Sequence, residues 1–200
     1  MPAAAIVLGG GQSRRMGVDK ATLLVGGATL LDRVLAVLDE AGISDVAVVA
    51  PGHVPDPEPA SGESPQAGPM AGVVAGWRHL RDHEPDPVVV LSCDLPALAS
   101  SVVTELIAEA ARSTHGAVAF DGERRQPLIA AYRPAALADV DAAFRQGERS
   151  LRRCFGGWDL RSVSFPPHLL ADADTPADLA AYEVKWPAVI TKCVWTTTAY

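Results

Sequence analysis

The stretch best equipped for chemistry is Leu8-Gly9-Gly10-Gly11-Gln12-Ser13-Arg14-Arg15-Met16-Gly17-Val18-Asp19-Lys20, directly after the apolar run Ala3 to Leu8. Three glycines leave backbone amides unobstructed by side chains. Arg14, Arg15 and Lys20 then place three cations within seven positions. Amide donors beside guanidinium and ammonium groups form the combination that a polyphosphate requires. The Walker phosphate loop is excluded, because Gly17 is followed by Val18 rather than by lysine and Ser or Thr. The dinucleotide fingerprint is excluded too, since Arg14 stands where its third glycine belongs. A bare triple glycine is equally a solvated surface turn, and it is the added Arg-Met-Gly-x-Asp-Lys that weighs against that reading.

A second candidate is a lone carboxylate. Val88-Val89-Val90-Leu91 reads as a buried strand emptying into Ser92-Cys93-Asp94-Leu95-Pro96, and open α/β sheets bind ligands at such strand ends. Asp94 is therefore expected to hold Mg²⁺, a hard cation that accompanies phosphates and needs only one or two carboxylates when the substrate supplies the remaining ligands. Its competing role, capping the helix Ser100 to Arg112, fails on spacing, and Ser100 or Ser101 can serve there. Asp172 and Asp174 precede a helix start marked by Thr175, Pro176 and Asp178 and are further candidates for the metal. Arg124 and Arg125, in the turn 121–126, either meet a second anionic group or are simply solvated.

These residues need a scaffold, and the hydrophobic pattern supplies one. Ala28 to Ala41 repeats apolar residues at intervals of three and four and stops at Gly42, which predicts an amphipathic helix. Asp45 to Ala50 predicts a parallel strand buried on both faces. Pro51 to Pro69, rich in proline, glycine, serine and acids, predicts a long loop over the same end of the sheet, or an inert insertion. Gly68-Pro69-Met70-Ala71-Gly72 opens a helix to about Asp82, with small residues at 71, 72, 75 and 76 allowing close approach to a ligand or to the sheet. Gly116 to Phe120 and Pro127 to Tyr132 predict two strands. Pro134 to Phe144 predicts a helix, with a short one capped by Gly147-Glu148-Arg149-Ser150 and reaching Phe155, then a strand over Trp158 to Phe165.

Two hundred residues, 48% hydrophobic and 20% charged, suit one α/β domain with a real core. A net charge of −7 argues against a nucleic-acid partner. The unpaired spacing of Cys93, Cys154 and Cys193 suggests a reduced, cytoplasmic setting and offers no zinc site. No apolar segment approaches the roughly 18 residues of a membrane span, and the N-terminal run is too short for a signal.

Taken together, these motifs make the chain resemble the molybdenum cofactor guanylyltransferases, the molybdopterin-guanine dinucleotide biosynthesis protein A family, within the wider group of molybdopterin and sugar nucleotidyltransferases. Leu8 to Lys20 is similar to the signature Leu-Ala-Gly-Gly-x-Ser-x-Arg-Met-Gly-x-Asp-Lys. Gly68-Pro69-Met70-Ala71-Gly72 resembles Gly-Pro-Leu-Ala-Gly, Cys93-Asp94-Leu95-Pro96 resembles Cys-Asp-x-Pro, and Asp174-Thr175-Pro176 resembles the late Asp/Asn-Thr-Pro. Asp121-Gly122-Glu123-Arg124 with Pro127, and Gly147-Glu148-Arg149, are similar to the guanylyltransferase subgroup. The chain departs from the pattern at Val49-Ala50-Pro51, where many members carry an asparagine, and just before Gly68, where only Glu63 stands near the place of a usual aspartate.

The resemblance implies a single three-layer domain over residues 1–184, a mostly parallel Rossmann-like sheet with helices on both faces, of the nucleotide-diphospho-sugar transferase type. Residues 185–200 form a tail without an assigned role. It implies GTP and molybdopterin as substrates, with transient contact to molybdopterin-carrying or molybdoenzyme partners. Leu8, Gly9, Gly10, Gly11, Arg15, Lys20, Gly68 and Asp94 are implied to bind the nucleotide. Arg15, Lys20 and Asp94 are implied to act in catalysis, and Asp94 and Asp174 to hold Mg²⁺. The competing expectations are the same transfer from CTP, another phosphorylated acceptor, or a non-catalytic GTP-binding module that delivers the cofactor.

Overall fold

Five consecutive apolar residues make β1 (Ala4–Leu8) an interior strand, buried along its whole length. Alternation sorts its side chains between two cores. Ala5 and Val7 face α1 (Leu30–Glu40) and α3 (Ser100–Ala110), while Ala4, Ile6 and Leu8 face α2 (Gly68–Leu80) and α4 (Pro134–Arg145). The computed structural model describes residues 1–9, 23–25, 27–50, 54, 68–173, 178–179 and 182. These form a six-stranded sheet between two helical layers, the three-layer α/β architecture expected. With β4 (Asp45–Val49), β5 (Val88–Ser92), β6 (Gly116–Phe120), β7 (Arg125–Tyr132) and β8 (Leu160–Ser164), the strand order is β4-β1-β5-β7-β6-β8. β1 runs parallel to β4 and β5, and β6 parallel to β8, while β7 lies antiparallel between β5 and β6.

Several boundaries differ from the sequence reading, each for a physical reason. The predicted helix over Ala28 to Ala41 begins at Leu30, because Ala28–Thr29 pairs as β3 with β2 (Leu24–Val25). Thr29 then caps α1: its hydroxyl accepts from the Asp32 amide at 3.0 Å, and Asp32 accepts from the Thr29 amide at 3.3 Å. The strand over Asp45 to Ala50 ends at Val49 and is not buried on both faces. It is an edge strand, alternating half-buried Val46 and Val48 with buried Ala47 and Val49. Neither Ser100 nor Ser101 caps α3, whose N-cap is Ala99 with no side-chain bond.

The small residues of α2 serve the sheet at Gly76. A Cβ there would lie 2.5 Å from Ile6 Cγ2, so the helix rests directly on β1. At its far end Arg78 donates through Nε and Nη2 to the buried Asp141 at 2.9 and 2.6 Å, tying α2 to α4. No helix among the described residues is long and apolar enough to cross a membrane. Residues 10–22, most of the loop 51–67 and the whole of 185–200 lie outside the described residues.

Candidate active site

The ends of three parallel strands meet where β1 stops. The Cys93 amide donates to the Leu8 carbonyl at 3.1 Å, and the Gly9 amide donates to the Val49 carbonyl at 3.0 Å. Leu8 and Gly9 are thereby wedged between the carboxyl ends of β4 and β5. Gly10, Gly11, Arg15 and Lys20 follow but lie outside the described residues. The chain re-enters at Leu23 and is fastened at once, with the Arg33 guanidinium donating to the Val25 carbonyl at 2.5 and 3.0 Å.

Asp94 stands just past β5 at this same edge. The Ser92 hydroxyl donates to Asp94 Oδ1, and the Asp94 main-chain carbonyl accepts from the Ala173 amide at 2.9 Å. That last bond draws a segment 79 residues away in the chain alongside Asp94. Asp172 consequently lines the same cleft as Asp94, while Asp174 lies outside the described residues. Ser92, Asp94 and Asp172 offer only hard oxygen donors, so the donor set fits Mg²⁺. Among the described residues no group of three or more His, Cys, Asp or Glu gathers for a metal.

The cleft has a volume of about 440 Å³. Pro69 and Met70 at the start of α2 form part of its wall, and Gly68, beside them, opens that helix in an exposed position. The opposite wall comes from an irregularity in β7. Val118 of β6 pairs with Ala130, but the next residue, Ala119, pairs with Gln126, so Pro127, Leu128 and Ile129 are surplus to the β6 ladder and line the cleft. Proline lacks an amide hydrogen and belongs at such a break. The buried Tyr132 hydroxyl fixes the arch by donating to the Pro127 carbonyl at 2.8 Å. The expected strand Pro127 to Tyr132 thus extends back to Arg125 with this bulge inside it.

The two arginines of the β6–β7 turn separate. Asp121 Oδ1 accepts from the amides of Glu123 and Arg124 at 2.8 Å each, bonds that hold its carboxyl below the usual range, and Arg124 lines the cleft. Arg125 is occupied elsewhere, on Ser162 Oγ at 2.9 Å and the Leu160 carbonyl at 3.4 Å. Two more cations come from the connection after α4. Arg149 Nη1 donates to the Phe144 and Glu148 carbonyls at 2.9 Å each, with its guanidinium carbon 4.3 Å from the Phe144 ring centroid. Arg152, on α5 (Leu151–Cys154), also lines the cleft. Sequence reasoning passed over Arg152 and Gln126, whose only signal was adjacency to the Gly147-Glu148-Arg149 and Asp121 to Arg125 stretches.

Ser150 makes no side-chain cap on α5. Glu148 instead braces the approach to α5, accepting from the Ser150 and Arg149 amides at 2.8 Å each, and those amides hold its carboxyl below the usual range. A carboxylate with a depressed pKa contributes stability above its unfolded value of about 4.3 and loses it as pH falls through the lower folded value. Glu148→Gln should therefore lower the thermal midpoint at pH 7. The gap to wild type should close as pH drops below about 4. A gap that stays constant from pH 7 to pH 3 would remove the charge from this account.

A cleft at the carboxyl edge of a mostly parallel sheet, lined both by Asp94 and Asp172 and by Arg124, Arg149 and Arg152, suits phosphates and fits a nucleotidyltransferase. Residues 5–162 match the MobA-like NTP transferase domain, and the chain belongs to that family. It is 38% identical over 154 residues to a probable molybdenum cofactor guanylyltransferase of Opitutus terrae, covering 75% of this chain and 76% of that protein. It is 33% identical over 193 residues to the molybdenum cofactor guanylyltransferase of Rhodobacter capsulatus, covering 92% and 96%. The crystal structure of molybdopterin-guanine dinucleotide biosynthesis protein A from Archaeoglobus fulgidus shares the fold, with a TM-score of 0.65 at 21% identity over 91% of this chain and 97% of that one.

Proposed function

We propose that this protein transfers GMP from GTP to the terminal phosphate of molybdopterin, releasing pyrophosphate. The observation that carries the reading is the likeness, across nearly the whole of both chains, to the Rhodobacter capsulatus molybdenum cofactor guanylyltransferase. In the reaction an oxygen of the acceptor phosphate attacks the α-phosphorus of GTP. The bond from that phosphorus to the bridging oxygen breaks, and its electron pair leaves with pyrophosphate. Such a transfer needs positioning and charge stabilisation more than a protein acid or base.

In this reading the backbone of Leu8, Gly9, Gly10 and Gly11, with Gly68 beside it, holds the nucleotide. Arg15 steadies the β and γ phosphates, and Lys20 meets charge developing at the α-phosphorus. Asp94, with Asp172 or Asp174, would hold Mg²⁺. A bound Mg²⁺ supplies neutralisation of phosphate charge and a better leaving group. Ser92 orients the Asp94 carboxylate through its hydroxyl. The cytoplasm is the setting that suits these substrates. Handover of the product to a molybdoenzyme by transient contact belongs to the same reading.

The test is pyrophosphate release from each of the four ribonucleoside triphosphates, with Mg²⁺ and molybdopterin supplied. Release from GTP at least ~10²-fold faster than from the others is expected, the discrimination a site gains by hydrogen-bonding its base. Release from CTP would move the protein to cytidylyl transfer, and silence with all four would remove the enzymatic reading.

A further inference from the structure

The cleft wall contributed by β7 is an arch of backbone, and the sheet alone does not hold it. On the β6 side Val118 pairs with Ala130 and Ala119 already with Gln126, while on the β5 side the register ends with Leu91 against Ile129. Pro127 and Leu128 are thus matched to neither neighbouring strand, yet both line the cleft. The hydroxyl of Tyr132 reaches this unmatched stretch, donating to the Pro127 carbonyl at 2.8 Å.

Tyr132 is fully buried, and its ring is wedged between two aromatic neighbours. Phe155 lies tilted against it with ring centroids 6.4 Å apart, and Trp158 meets it edge-on at 6.1 Å. Phe155 is the C-cap residue of α5, whose Leu151 and Arg152 also line the cleft. One side chain therefore contacts the elements that supply two parts of the cleft wall. Burial pushes the phenol well above its ordinary pKa, so the proton that makes the bond is kept at any working pH. Packing against Phe155 and Trp158 needs the ring alone, and phenylalanine would serve it equally well. The hydroxyl is spent on the arch.

We infer that Tyr132 is a positioning residue of the site, which sets the β7 arch through the Pro127 carbonyl and so fixes the shape of the cleft beside Asp94. The inference rests on the transfer reading. Tyr132 lies behind the wall and touches no reacting atom, so it acts only through where the wall stands. Small displacements of a positioning wall are felt strongly when two substrates must be aligned for in-line transfer.

The test compares wild type, Tyr132→Phe and Leu38→Ala in the full chain. Leu38 is buried in the core under α1, so its truncation lowers stability without touching β7. In Tyr132→Phe, amide exchange at Leu128 and Ile129 should rise about threefold to tenfold over wild type, with Ala117 and Val89 unchanged. The KM for molybdopterin should rise about threefold or more, while kcat and the KM for GTP stay within about twofold. The split is expected because the arch stands across β5 from the glycine end of β1, where the nucleotide is placed. Leu38→Ala should lower the thermal midpoint at least as far and move neither KM. A KM shift shared by Leu38→Ala would make Tyr132 merely structural. Unchanged exchange at the arch, unchanged KM values, or a shift for GTP instead would each overturn the inference. A wild type that releases no pyrophosphate, with the exchange difference present, would sink the transfer reading and leave Tyr132 as the residue that sets the arch.

Discussion

Asp94→Asn is expected to lower pyrophosphate release from GTP by about 10²–10³-fold, the size of effect seen when one preorganised charge-stabilising group is removed. The substitution is nearly isosteric. The asparagine carbonyl can still accept from Ser92, and the bond from the Ala173 amide goes to the main-chain carbonyl, which the change does not touch. These two contacts therefore persist, and stability should stay within about 1 kcal/mol of wild type by urea denaturation. What disappears is a hard anionic oxygen at the boundary between the nucleotide end of β1 and the arginine-lined cleft. If Asp94 holds the cation, the variant should also need a higher Mg²⁺ concentration for half-maximal rate. Wild-type turnover at ordinary Mg²⁺ would take Asp94 out of the catalytic machinery, whereas a large loss of stability would make it a structural residue.

Much of the site's frame could be read from local pattern, since β1, β5 and Asp94 lie within short runs whose apolarity and terminal residues identify them. The remainder depended on contacts that local pattern does not encode. Asp45 to Ala50 reads as a doubly covered strand because its composition resembles that of β1, but nothing in those six residues states that β4 is the last strand of the sheet among the described residues. Arg124 and Arg125 are adjacent and chemically identical. Their separation, one to the cleft and one to β8, follows from strand alternation about a turn closed by Asp121. The position of Asp172 beside Asp94 depends on one long-range backbone bond. The arch of Pro127 to Ile129 had a visible cue in its proline, but its length came from pairing registers on two sides: Leu91 holds Ile129 while Val118 holds Ala130 and Ala119 holds Gln126.

That pairing makes Gly116→Ala the most damaging small substitution expected in the fold. Gly116 opens β6, pairs with Tyr132 on one side and Leu160 on the other, and has φ +125°. A Cβ there would lie 2.2 Å from the Ala131 carbonyl oxygen and 2.9 Å from Tyr132 Cα, both backbone atoms that cannot rotate aside. The strand must back away from β7, adding overpacking to backbone strain, for a loss of about 3 kcal/mol or more. For a chain of this size that is a fall of roughly 10 °C in thermal midpoint. Gly122→Ala is the control. Its φ of +100° carries the same kind of strain, but nothing lies within 4 Å of a Cβ there, so about 1–2 kcal/mol is expected. Equal losses at the two positions would show that strain alone acts and that the strands part freely. The larger loss at Gly116 should also reach the site, because Tyr132, against which β6 closes, holds the Pro127 carbonyl that shapes the cleft wall.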